Sequence, residues 1–301
     1  MPPTRLSCLA LLTVSLLGAG CAAPGAAPAL TPDDQARLSR LLPADVLLVG
    51  KQHDAPAHQQ LQRQLIDWLA ARGQLAAVAL EMAEQGRSTH GLPPQASPAQ
   101  VQAALGWRDK AWPWRAYGPP IMAAVRAGVP VLGANLPASA MRGAMADARL
   151  DARLPPPQLA QQQERIRTGH CGLLPESQIA PMARVQIARD MAMAQTLADV
   201  ATPQGAPYAS PGRVALLITG NGHTHRLLGV PRFLPPTLSV RVLSAQSRPA
   251  SGAPVPDAAD GALAEGDLVW PTPALPAQDH CAALRQTHAR PAASGQAGKA
   301  P

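Results

Sequence analysis

What most limits how this chain can fold is a series of short, predominantly apolar segments, each closed by a turn residue or a lone charge. Val46–Val49 ends at Gly50, Ala77–Leu80 at Glu81, Val129–Leu132 at Gly133, and Val214–Thr219 at Gly220. Runs of this length without polar alternation suit strands covered on both faces. Their alternation with helical patterns points to an α/β fold with a mostly parallel sheet. Leu61, Leu65, Trp68 and Leu69 form one helical stripe, and Pro56 before them suits a first turn. Ile121–Arg126 and Ser177–Val200 give two more helices. Leu238–Leu243 and Leu268–Trp270 are expected to complete the sheet, and Gly91–Pro98 and Ser247–Pro256 read as loops. No solenoid-type repeat is present.

The first residues read as an address. Arg5 precedes an apolar stretch from Leu6 to Leu17, and the segment closes on Gly18-Ala19-Gly20-Cys21. One cation, a short apolar core and small residues before the cut describe a secretory signal, too short for a stable membrane-spanning helix. A Cys after the small residues is the bacterial lipobox arrangement, with Gly18 where Leu is usual. An ordinary cleaved signal is the alternative. Acylation of Cys21, palmitate included, adds more than one chain and so gives stable anchoring. Ala22 after the Cys favours the outer membrane of a Gram-negative envelope, facing the periplasm or the cell surface. The expected organisation is a signal peptide over 1–20, a flexible Ala/Pro-rich tether over 21–35, one domain over 36–285 and a disordered tail over 286–301. Cys8 leaves with the signal. Cys171 and Cys281 remain as an even pair in an oxidising compartment, for which a disulfide is the default and free thiols or metal ligands the alternative.

The formal charge is +7, carried almost wholly by arginine, since Lys51, Lys110 and Lys299 are the lysines. Aromatic residues make up 3% and no basic run exceeds two residues, so neither a stacking platform nor a groove-reading helix for nucleic acid is visible.

Polar groups gather where strands end. Gly50-Lys51-Gln52-His53 follows the first apolar run, Glu81 the second, and Gly220-Asn221-Gly222-His223 the run at 214–219. In parallel α/β sheets ligands bind outside the carboxyl ends of the strands. Glycine allows the sharp exit, and a His three residues later can turn back across the edge. Burial would raise the Glu81 pKa unless Lys51 or Arg115 lies close.

With these motifs in order, the chain resembles the ChaN-like haem-binding lipoproteins, within the wider Tiki/TraB and erythromycin-esterase-like group. The resemblance rests on His53-Asp54-Ala55-Pro56-Ala57-His58, Leu80-Glu81-Met82, Trp112-Pro113-Trp114, Tyr117 and Gly133-Ala134-Asn135-Leu136-Pro137. It continues through His170-Cys171-Gly172, Gln186 with Asp190, Gly220-Asn221-Gly222-His223, Gly229-Val230-Pro231 and Asp279-His280-Cys281. It spans about Leu38 to Leu284. It implies a three-layer α/β fold, a mostly parallel central sheet flanked by helices, and haem binding for iron acquisition. A homodimer around the two-faced haem and an outer-membrane receptor are the partners it suggests. Where the family usually has Glu after the first Gly, this chain has Lys51, unsuited to act as a general base while protonated but suited to a haem propionate.

The resemblance makes Tyr117 the candidate iron ligand, with packing in a helix start as its plain alternative, and His53 and His223 the next candidates. Gln186 and Asp190 lie one turn apart on a helix face and would fix imidazole tautomers. Asn135 would hydrogen-bond in the crevice or shape the turn. Trp112 and Trp114 could cover a porphyrin face or lie in the core. His58 is expected on an exposed helix face, His225 and Arg226 at the rim, and His90, His280 and His288 in solvated loops. A second reading is a Tiki-like hydrolase in which His53, Glu81 and His223 hold zinc or manganese. Neither His-Glu-x-x-His nor Gly-x-Ser-x-Gly occurs, so other common hydrolase classes find no support. A third reading is a structural envelope lipoprotein without chemistry.

Overall fold

The computed structural model describes residues 29–202, 212–249, 251 and 262–289. Cys21 and the signal lie outside these residues. The elements in order are α1 (Pro32–Ser39), β1 (Val46–Lys51), α2 (Pro56–Ala71), β2 (Leu75–Glu84), α3 (Pro98–Leu105) and α4 (Trp114–Arg126). They continue with β3 (Val131–Asn135), α5 (Ala138–Ala146), α6 (Pro156–Gly169), α7 (Glu176–Ala201), β4 (Val214–Gly220), β5 (Val240–Ser247), β6 (Leu268–Thr272) and α8 (His280–Ala289). Helix α1 begins inside the stretch whose composition reads as tether, and α8 extends past residue 285. His280 therefore opens a helix and His288 lies within it, not in loops.

The six strands form one sheet in the order β3-β2-β4-β1-β5-β6. Every pairing between them is parallel. Side chains alternate across a strand, and here both sets are apolar. Leu47, Val49, Val78, Leu80, Leu216 and Ile218 pack with Leu61, Leu65, Leu69, Ile121 and Val125 of α2 and α4. Their neighbours Val46, Leu48, Ala77, Ala79, Ala215 and Leu217 pack on Met193, Ala194, Leu197 and Val200 of α7. That alternation produces three layers. It also explains why the runs showed no polar period.

Strand β2 is longer than its apolar run, and Glu81 lies within it instead of after it. Leu80 pairs with Gly133 and Glu84 with Asn135, so β2 carries two extra residues against β3 between those pairs. Such a bulge re-aims side chains. It turns Glu81 toward the end of β4 beside it. Strand β3 starts at Val131, after Pro130, which has no amide proton to give the ladder. Cys171, in the α6–α7 turn, is disulfide-bonded to Cys281 of α8. Among the described residues no helix is long and apolar enough to cross a membrane.

Candidate functional site

The centre of the site is Glu81, 7% exposed. Its Oε2 accepts the Gly220 amide at 2.7 Å and the Thr219 hydroxyl at 2.9 Å, both from the last residues of β4. The other oxygen, Oε1, lies 3.5 Å from His223 Nε2, and Oε2 lies 3.6 Å from His53 Nε2. Burial alone would raise the Glu81 pKa. The charge and hydrogen bond of His223, the charge of His53 and the Gly220 amide outweigh it and hold the carboxyl well below the usual range. Thr219 was not singled out from sequence; a hydroxyl at the last position before the strand-end glycine was the available signal.

His223, 6% exposed, stands between two carboxylates. Its Nδ1 donates to Asp190 Oδ1 at 2.6 Å, and the Gln186 amide lies 3.0 Å from the same atom. Gln186 and Asp190 come from successive turns of α7. Burial pulls the imidazole pKa down, but Asp190 and Glu81 push it up to about 10. Burial pushes Asp190 up to about 6, with His223 opposing. The two carboxylates favour the protonated ring, and with Nδ1 on Asp190 and Nε2 facing Glu81 both ring nitrogens are committed within the protein.

His53 is the ring of this cluster that reaches solvent, its side chain 36% exposed. A Cβ at Gly220 would come within 2.7 Å of its Nε2, so glycine there lets the ring lie against the strand end. Burial lowers its pKa, with Glu81 opposing, so the ring carries its charge only in acid, where it bears on the titration of Glu81. The Trp112 ring leans over it at 5.0 Å between centroids. Tyr117, 4% exposed on α4, donates its hydroxyl to the His53 carbonyl at 3.3 Å, and that oxygen lies 3.5 Å from His53 Nδ1. Burial and the charges of Glu81 and Asp54 raise the phenol to about 12. Trp112 meets Tyr117 edge-on at 5.5 Å, whereas Trp114 packs edge-on against Trp107 behind them.

Several expectations need correction. Lys51 does not face a propionate: it is 1% exposed, its Nζ sits 3.9 Å from the Tyr117 ring centroid, and that Nζ has no hydrogen-bond partner among the described residues. Burial drops its pKa to about 7, with Glu81 opposing. His58 is fully buried: Nδ1 accepts the Gln52 amide at 3.0 Å and Nε2 meets the Thr272 hydroxyl at 2.8 Å, tying α2 to β6. His225 is 2% exposed, and Arg226 is paired with Asp267 at 2.5 Å, so neither forms a rim. Arg115 is exposed on α4, and the cations that act on Glu81 are His223 and His53 rather than Arg115 or Lys51. Asn135 donates to the Glu81 carbonyl at 2.8 Å and so supports the bulge in β2. His90 is exposed in a turn. Among the described residues no group of three or more His, Cys, Asp or Glu is arranged to hold a metal ion. A Glu81 oxygen bound by two donors and a cationic His223 give the physical reason.

The model of one protein family, that of haem-binding uptake proteins of the ChaN type in the Tiki superfamily, matches residues 37–234. No curated protein matches the sequence. Among solved structures the chain is similar to ChaN of Campylobacter jejuni, with a TM-score of 0.57 and 22% identity over 71% of this chain and 85% of that one. It also resembles the type III effector HopBA1, with a TM-score of 0.45 and 14% identity over 80% of this chain and 93% of that one. The Campylobacter likeness supports the three-layer fold. The family match runs from α1 past His223 and takes in His53, Glu81, Tyr117, Asp190 and Gly220, and the chain therefore belongs to the ChaN family of haem-binding uptake proteins.

Proposed function

We propose that this protein is an envelope lipoprotein for iron acquisition that binds haem on the face formed by His53, Tyr117 and Trp112. One observation carries the placement: a neutral, half-exposed imidazole backed by a phenol and covered by an indole, at the carboxyl edge of the sheet. The donor set suits ferric haem, for which phenolate and imidazole are ordinary axial ligands and aromatic rings ordinary walls. When bound, haem would supply the iron that uptake delivers. His53 offers an imidazole that reaches solvent, and Tyr117 stands directly behind it. Glu81, held by Gly220 and Thr219, fixes the far side of His53. His223, Asp190 and Gln186 serve as the scaffold that keeps Glu81 ionised.

The solved relative from Campylobacter jejuni is described by its cofacial haem binding. That supports two copies of this chain facing each other across haem, with the open His53 side as the shared face. Cys21 would hold the domain at the membrane, supported by the lipobox arrangement of residues 18–21.

Haemin titration of the full-length protein in detergent tests the reading. The expected result is a shifted Soret band whose position changes in Tyr117→Phe and in His53→Ala but is retained in His223→Gln. Binding no tighter than to an unrelated lipoprotein would defeat it. Palmitate labelling lost in Cys21→Ala checks the anchor.

A further inference from the structure

Haem carries two carboxylates, and the burial of Lys51 leaves them without the partner expected for them. The loop between α3 and α4 offers another. It is tightly determined: the amides of Ala111 and Trp112 both donate to the Arg108 carbonyl at 3.0 Å, and Trp107 Nε1 donates to the Trp112 carbonyl at 2.8 Å. Asp109 accepts the Trp114 amide at 2.7 Å, which commits its carboxylate to the start of α4. Trp107 and Trp112 turn inward to Tyr117, at 6.0 and 5.5 Å between centroids. Arg108 and Lys110 are left exposed. Neither has an ion-pair partner among the described residues, whereas Arg63, Arg149, Arg167, Arg184 and Arg226 all do. Both root within one turn of the indole that leans on His53.

From this we infer that Arg108 and Lys110 bind the propionates of haem lying on the His53–Trp112 face, an inference that rests on the haem reading above. A flat, apolar ring with carboxylates on one edge matches a lip that sets an indole beside two uncommitted cations. The selection is by charge and geometry, since the stacking wall alone would accept any planar apolar molecule. Arg115 is the internal control. It is equally exposed, but two residues before Tyr117 place it about 200° around α4 from that ring.

The experiment compares haemin with its dimethyl ester on the full-length protein in detergent, by Soret titration at low and high salt. Wild type should bind haemin roughly two- to thirtyfold more tightly than the ester, the scale of two exposed charge pairs, and salt should erase the difference. Arg108→Ala/Lys110→Ala should bind both forms alike, with an unchanged Soret position, and Arg115→Ala should behave as wild type. Equal affinity of wild type for acid and ester overturns the inference without any variant, while leaving haem binding itself standing. Retained discrimination in the double variant also overturns it. Absence of haemin binding by wild type overturns this inference and the haem reading together.

Discussion

Replacing Lys51 by methionine keeps a chain of similar length at the end of β1 and removes its charge. In the folded protein burial takes the Lys51 pKa from 10.5 to about 7, while Asp190 and Glu81, against burial, take His223 from 6.5 to about 10. Between pH 7 and 10 the unfolded chain therefore holds a proton on Lys51 that the folded protein has lost. It lacks the one on His223 that the folded protein keeps. The first difference makes stability rise with pH by about 1.4 kcal/mol per pH unit, and the second makes it fall at the same rate. Across this window each is worth on the order of 4 kcal/mol, and the two cancel. The wild type should thus be nearly flat from pH 7 to 10. Lys51→Met removes the rising limb and should lose on the order of 4 kcal/mol over the same range, roughly 8–16 °C in Tm for a domain of this size. Thermal unfolding of both proteins, followed by far-UV circular dichroism at each whole pH value, measures it. A variant as flat as the wild type would refute the opposition of these two groups.

Three further outcomes follow from the same geometry. Asp190→Asn takes a carboxylate from a buried imidazolium and should cost about 3 kcal/mol, read as a fall of roughly 6–12 °C in calorimetry; no change would mean that the pair is not an ion pair. Gly50→Ala would place a Cβ 2.3 Å from Asn221 Oδ1, which Ser244 holds at 3.1 Å, so the variant should lose roughly 1–3 kcal/mol in urea unfolding. Reducing Cys171–Cys281, which closes a separation of 110 residues, should remove about 5 kcal/mol on the chain-entropy account. Melts with and without reductant test this, and an unchanged midpoint would count against it.

The sheet was legible because four of its strands are apolar on both faces. A parallel sheet under two layers of helices leaves no other pattern. The site's strand ends were legible for the same reason, since polar residues stand out where apolar runs stop. Other features depended on contacts distant in sequence. His58 is buried by a bond to Thr272, 214 residues away, so its helix position alone read as exposed. Lys51 is covered by Tyr117 from α4, which no local pattern indicates. The first turns of α4 were hidden by Gly118-Pro119-Pro120, which reads as a breaker. The helix includes both prolines, and a Cβ at Gly118 would meet the Trp114 ring at 2.6 Å. Helices α5 and α6 escaped notice because their residues are small or Gln-rich and only Ala144, Gln162 and Ile166 are buried. The pairing of Cys171 with Cys281 was anticipated from compartment and count, and it is present.

The groups around Glu81 arrive from β1, β2, β4, α4 and α7, so no contiguous piece of chain carries the site by itself. Any opening that parts these elements dismantles the binding face. A ligand seated there would therefore act on the whole sheet at once. Amide protons in the central strands should exchange more slowly by the factor one plus ligand concentration over Kd, although most of them lie far from the bound molecule. Amides that exchange by fraying of a single helix end would be indifferent to it.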